Sequence, residues 1–294
     1  MTAVYVEEGP DKGALWHSGE PHKEARALEE GNAWADYSHK SVLTVTGEDR
    51  LTWLNDLTTQ ELVNWQKDEW TSALILNAQG HIVHQLFLMD DGKTTWIFTE
   101  KEKEEDLIAF LSKMVFMLRV EPKIVSDEYK VIKRTGKTDK FGGPYKVIKR
   151  SEEPHESGMQ VGTWALEAER VAQKRARLLF ETDHKSIPNE LGFLNNAVHM
   201  RKGCYPGQET VAKVFNLGQP PRRLVLLHLD GTEIELPKTG DAVFAENDRE
   251  KVIGYIGTVA RHYELGPIAL AVVKRAVLTD ITLKSNNVLA SQEN

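Results

Sequence analysis

At 294 residues the chain exceeds a usual single domain, so two or three domains are expected. With 40% hydrophobic and 28% charged residues the composition is that of an ordinary globular protein, and a net charge of −7 argues against a general binder of nucleic acid or anionic membrane, which needs a basic surface. One cysteine excludes an internal disulfide framework and a cysteine cage for zinc or an iron–sulfur cluster, and it points to reducing cytoplasm.

The start, Met1 to Gly13, is acidic and lacks the apolar core of a signal peptide, and no run approaches the ~18 apolar residues of a membrane span. No membrane association is expected. Residues 1–40 read as a loose beginning, followed by an alternating strand over Ser41–Thr46. From Gly47 the period changes. Leu51, Leu54, Leu57 and Leu62 recur at helical spacing, with Asp49 early enough to favour the helix dipole. Trp53 and Trp65 on that helix are candidates for lining a pocket, although aromatics at helical spacing usually belong to a core.

Ser72–Asn77 and His81–Met89 predict two strands around the turn Asn77-Ala78-Gln79-Gly80. His81 and His84 suggest a metal site only superficially, because residues three apart in a strand point to opposite faces. Val83, Gln85 and Phe87 share one face. Trp96-Ile97-Phe98 predicts a third strand, and the charge run Glu100–Asp106 leads a helix through Leu107, Leu111 and Met114, its carboxylates placed for the dipole. This alternation of strands and helices implies a compact inserted α+β unit.

Tyr129–Arg134 and Tyr145–Arg150 are the same hexapeptide, Tyr-Lys-Val-Ile-Lys-Arg, separated by a polar stretch ending in Gly142-Gly143-Pro144. Two paired strands of a hairpin are the plain reading, and a basic face for a polyanion is the alternative. Trp164–Lys174 is helical, and Asn216–Pro221 is a breaker cluster that marks a domain boundary. The short strands beyond it (Arg222–Leu229, Asp241–Ala245, Val252–Ala260, Ile268–Leu278) predict a β-barrel, with a frayed polar tail from Ser285.

Lys202-Gly203-Cys204-Tyr205-Pro206-Gly207-Gln208-Glu209 places a cation, a thiol, a phenol, an amide and a carboxylate on a loop stiffened by two glycines and a proline. Two readings of Cys204 stand side by side: a small buried hydrophobe, or a reactive thiol favoured by Lys202 and by loop amides. His199 is the nearest base in sequence, and spacing alone gives it no reach to the thiol.

The run from Lys202 to Lys213 resembles the K-G-C-Y-x-G-Q-E signature of the YgfZ proteins, relatives of the glycine-cleavage T-protein, an aminomethyltransferase. Ile187-Pro188-Asn189-Glu190, Gly254–Val259, Pro267–Ala271 and the early segment from Val45 to Thr59 are similar to that superfamily as well. The resemblance implies an α+β protein in three domains arranged as a cloverleaf. Residues 1–46 and 125–217 would form a discontinuous first domain carrying the signature loop, 47–124 an inserted ferredoxin-like α+β domain, and 218–294 a C-terminal β-barrel.

The resemblance further implies a tetrahydrofolate or related reduced folate as ligand, with Cys204 as the reactive group and Lys202, Tyr205, Gln208, Arg177, Gln85 and Glu190 around the ligand. It implies a role beside iron–sulfur proteins or the machinery that assembles them. Gln85 falls near the place where aminomethyltransferases carry an aspartate. An amide hydrogen-bonds but does not exchange a proton, so transferase chemistry, the alternative, lacks that group. Arg177 is either a fork for a carboxylate or an ordinary surface arginine.

Overall fold

The computed structural model describes residues 2–135, 145–233, 235–248 and 250–293. These divide into two compact units, one formed by 1–163 with 194–208 and the other by 164–193 with 209–294. Among the described residues no helix is long and apolar enough to cross a membrane.

In the first unit the elements run β1 (Val4–Tyr5), β2 (Leu15–His17), α1 (Pro21–Glu29), β3 (Ala33–Asp36), β4 (Ser41–Thr46), α2 (Arg50–Leu57), β5 (Thr71–Leu76), β6 (Ile82–Asp90), β7 (Thr94–Thr99), α3 (Glu104–Met114), β8 (Glu121–Ile124), β9 (Tyr129–Arg134), β10 (Tyr145–Lys149) and β11 (Met159–Gln160). The beginning is therefore ordered, with a small β1–β2 sheet and a helix where the sequence reads as loose. A five-stranded sheet has the order β5-β6-β7-β4-β8. Leaving out β5, the order β8-β4-β7-β6 with α2 and α3 as crossovers is that of a ferredoxin-like βαββαβ unit.

Both faces of this sheet are covered, so β4 and β5 are buried along almost their whole length. On one face Leu43, Val45, Ile75, Leu86, Leu88 and Ile97 meet Trp53, Leu54 and Leu57 of α2 and Leu107 and Leu111 of α3. Trp53 is thus core, and its Nε1 donates to the Met114 carbonyl at 2.9 Å. Helix α2 ends at Leu57 because Thr58 turns to extended backbone, so Leu62 joins the core from the following loop and not from the helix. On the other face Val42 and Phe98 meet Val131, Tyr37 and Tyr145, and Phe87 stacks on Phe98 at 4.7 Å.

The twin hexapeptides do pair, antiparallel, with Val131 opposite Val147 in the sheet β10-β9-β3-β11; their connecting stretch 136–144 lies outside the described residues. Several of their cations are paired, while Arg134, Lys146, Lys149 and Arg150 remain exposed. Lys130 pairs with Asp36 at 3.0 Å, Arg134 and Lys146 with Glu156 at 2.7 and 3.3 Å, and Arg150 donates to the carbonyls of Ser126 and Ser38.

The second unit holds α4 (Thr163–Ala172), α5 (Gln208–Leu217), β12 (Arg222–Leu229), β13 (Ala242–Ala245), β14 (Gly254–His262), β15 (Gly266–Lys274), β16 (Leu283–Ser285) and β17 (Val288–Gln292). The six strands close as β12-β15-β14-β13-β16-β17. Val225, Leu227, Ala269, Ala271, Val288 and Ala290 alternate inward, whereas Leu226, Ile268 and Leu270 alternate outward onto Val171 of α4. The tail is not frayed: β17 carries the buried pair Val288 and Ala290 and closes the barrel against β12. Its short two-residue alternation is hidden among polar neighbours.

Candidate functional site

The loop Lys202–Gln208 belongs to the first unit and leads into α5. Thr59 and Gln60, in the connection that follows α2, hold the chain that enters it. Thr59 Oγ1 donates to the Ala197 carbonyl at 2.5 Å, the His199 amide donates to the Thr59 carbonyl at 2.8 Å, and Gln60 Nε2 donates to the Asn196 carbonyl at 3.2 Å. At the loop's far end Gly207 has φ +78°, a left-handed conformation that glycine alone adopts without strain. A Cβ there would lie 2.6 Å from the Asn77 carbonyl oxygen and 2.6 Å from Gly80 Cα, so the loop is seated on the β5–β6 turn. Gly203 is different: a Cβ on it meets nothing within 4 Å.

Cys204 is exposed, which removes the reading of a small buried hydrophobe. Its neighbours Lys202 and Tyr205 are buried. Lys202 Nζ donates to the carbonyls of Asn55, Thr58 (2.6 Å) and Gln60 (3.0 Å), so its three protons go to three carbonyl oxygens at the end of α2. The ammonium is spent there and is not directed to activating the thiol. The Lys202 Nζ also lies 5.3 Å from the Tyr205 ring centroid. Burial pushes the Lys202 amine down to about 8 and the Tyr205 phenol up to about 12. Three carbonyl acceptors each favour the charged amine, so Lys202 is a cation at pH 7. Gln208 is half-buried at the first position of α5.

Gln85 sits in the middle of β6 opposite Leu74, buried, and its carbonyl accepts from Thr99 Oγ1 at 2.8 Å. One residue away, His84 faces the helix side of the sheet, 6.4 Å from the Phe110 ring, and burial drives its imidazole down to about 4. Among the described residues no group of three or more His, Cys, Asp or Glu is placed to hold a metal.

In the second unit, Arg177 is not a surface arginine. It is buried, its guanidinium lies over Phe180 at 4.5 Å, and Nη1 stands 3.2 Å from Glu167 Oε1. Glu190 is also committed internally: Arg222 donates to both its oxygens, at 2.9 and 2.8 Å, while the Ile187 amide donates to Oε2 at 3.2 Å. Arg222 reaches Asp183 as well, at 2.6 Å. Burial would raise the Asp183 carboxyl, but Arg222, the Lys185 amide and Ser186 hold it well below the usual carboxylate range.

The residue that sequence reasoning missed is Glu181. Its side chain is fully buried and accepts from the amide and hydroxyl of Thr258, both at 2.7 Å, from the Arg177 amide at 2.8 Å and from Arg170 at 3.1 Å. Gly257 must be glycine, since a Cβ would lie 2.5 Å from Glu181 Oε1. That glycine, inside the Gly254–Val259 text, was the one available sequence signal.

No family model is matched by the chain, and no curated protein sequence is matched either. A solved structure is matched: the glycine cleavage system aminomethyltransferase T from Bartonella henselae, at a TM-score of 0.79 and 15% identity, over 99% of this chain and 93% of that one. At that identity the likeness concerns fold. The chain has the mixed α/β fold of that T-protein, including the closed C-terminal barrel.

Proposed function

We propose that the protein binds a reduced folate, tetrahydrofolate or a derivative, and uses the Cys204 thiol in support of iron–sulfur enzymes. The observation that carries this reading is the exposed thiol on a loop anchored by the buried Lys202 and Tyr205, on the fold of a protein described as an aminomethyltransferase. A side chain held out from a rigid loop is arranged for contact with another molecule, because ordering the loop has already been done by the fold. Fold alone does not decide chemistry, so the site must carry it.

The residues present suit binding more than turnover. Gln85 brings an amide that can donate to and accept from a pterin edge, and Tyr205 brings apolar bulk. Arg177 and Glu190, in the second unit, are engaged by their internal partners Glu167 and Arg222. Folate, when bound, would supply one-carbon and redox chemistry; this chain would supply the amide, the wall and the thiol.

The second reading is a folate-dependent aminomethyltransferase, favoured by the activity named for the solved structure of like fold. It requires a proton-exchanging group where Gln85 stands. Cells lacking the protein, complemented with wild type, Cys204→Ala or Gln85→Ala, separate the two. The iron–sulfur reading predicts that iron–sulfur enzyme activities recover with wild type and not with Cys204→Ala. Full recovery with Cys204→Ala, together with turnover of a methylamine donor by the purified protein, would establish the transferase instead.

A further inference from the structure

Lys202 has the features of a bound ligand more than those of a surface lysine. It is 6% exposed, and its ammonium meets the carbonyl oxygens of Asn55, Thr58 and Gln60, one for each proton. Asn55 lies in the last turn of α2 and Thr58 is its C-cap, where carbonyls have no partner within the helix and a positive charge is favoured. The stem enters from a different part of the chain, more than 140 residues away in sequence. From the geometry we infer that these three carbonyls constitute a site for a primary ammonium group, filled by Lys202 from within the chain, and that filling it fixes the position of the Cys204 thiol.

Lys202 is then a positioning residue, not a ligand contact or a thiol activator. It holds the near end of the loop on α2 while Gly207 seats the far end on the β5–β6 turn, with Tyr205 buried between them. The ammonium site is independent of the folate reading; only the task of the thiol rests on it. Emptying the site leaves three carbonyl oxygens aimed at a void of the right chemistry for a small alkylammonium ion, which must donate hydrogen bonds to bind there.

The test uses full-length Lys202→Ala and Lys202→Met, read by amide hydrogen exchange over residues 55–60 and 202–206 and by the pH profile of iodoacetamide modification at Cys204, the chain's one thiol. Both variants are expected to exchange faster in these segments, by roughly tenfold or more, with the pH midpoint of thiol modification unchanged. Ethylammonium should restore protection saturably in Lys202→Ala and not in Lys202→Met, whose stem fills the void; tetramethylammonium, equal in charge and without N–H groups, should not rescue. Equal rescue by the two ions, or none in a cooperatively folded Lys202→Ala, overturns the inference. Should Lys202→Ala fail to fold, unchanged exchange in Lys202→Met overturns it as well. A shifted midpoint of modification with unchanged exchange would mean that Lys202 acts on the thiol by charge. Failure of the wild-type protein, with both segments protected, to bind tetrahydrofolate would count against the folate reading, not against the site.

Discussion

Two buried cation sites, one at Lys202 and one around Arg170, Arg177 and Arg222, are built by opposite means, whereas Lys40 in the first unit follows the second pattern, paired with Asp11 and Glu100. The Lys202 ammonium hydrogen-bonds to three neutral carbonyls, while the carboxylates of Glu61 and Asp56 favour its charge from a distance. In the second, Arg170, Arg177 and Arg222 are met by Glu167, Glu181, Asp183 and Glu190. A point-like ammonium suits converging carbonyls at a helix end, whereas the planar guanidinium fork suits paired carboxylate oxygens. The difference teaches that a cation beside a reactive-looking residue in sequence does not reveal where its charge is used. That is decided by which acceptors the fold leaves without partners.

The largest expected effect lies in the carboxylate-rich region. Glu181→Ala would leave the buried Thr258 and Arg177 amides without their acceptor and take from Arg170 one of its two carboxylate partners, at a cost of about 3–5 kcal/mol, read as a lowered urea midpoint with unchanged slope. A loss under about 1 kcal/mol would mean that the network is no stronger than a surface ion pair.

Acid should expose a further buried group, in the first unit. His84 titrates near 4 in the fold against about 6.5 in the unfolded chain. Between these values the unfolded chain holds the extra proton, so stability falls as pH drops from 6.5 towards 4, by about 3 kcal/mol in all. His84→Leu should flatten that part of the pH–stability curve, and an unaltered curve would remove His84 as its cause.

Within the loop, Gly207→Ala must enter left-handed backbone and press on Asn77 and Gly80, which should cost about 2–4 kcal/mol. Gly203→Ala, in open space, should change stability by no more than about 1 kcal/mol, in either direction. Equal losses in denaturant unfolding would break the account of a loop seated at Gly207.

Much of this architecture is legible in the chain. The Gly-ended turn Asn77–Gly80 placed β5 and β6, and the repeated Tyr-Lys-Val-Ile-Lys-Arg foretold the pairing of β9 with β10. The motif text around Cys204 led to the T-protein fold, which the solved structure of like fold supports. What stayed hidden depends on long-range partners. Nothing local says that Lys202 turns to Asn55, or that Arg177 is covered by Glu167, since both lie in polar text that suits a surface equally well. Leu62 kept the helical period by accident while entering the core from a loop. The tail after Ser285 was too short for its alternation to stand out, although Val288 and Ala290 complete the barrel.

The claim at the centre is that this fold retains a reduced-folate site, with the thiol reserved for what happens beside it. Anaerobic calorimetric titration of the purified protein and of Cys204→Ala with tetrahydrofolate addresses it most directly. The account predicts saturable binding at one site per chain, equal in both proteins. Absence of binding at millimolar ligand, weaker than about −4 kcal/mol, would contradict it.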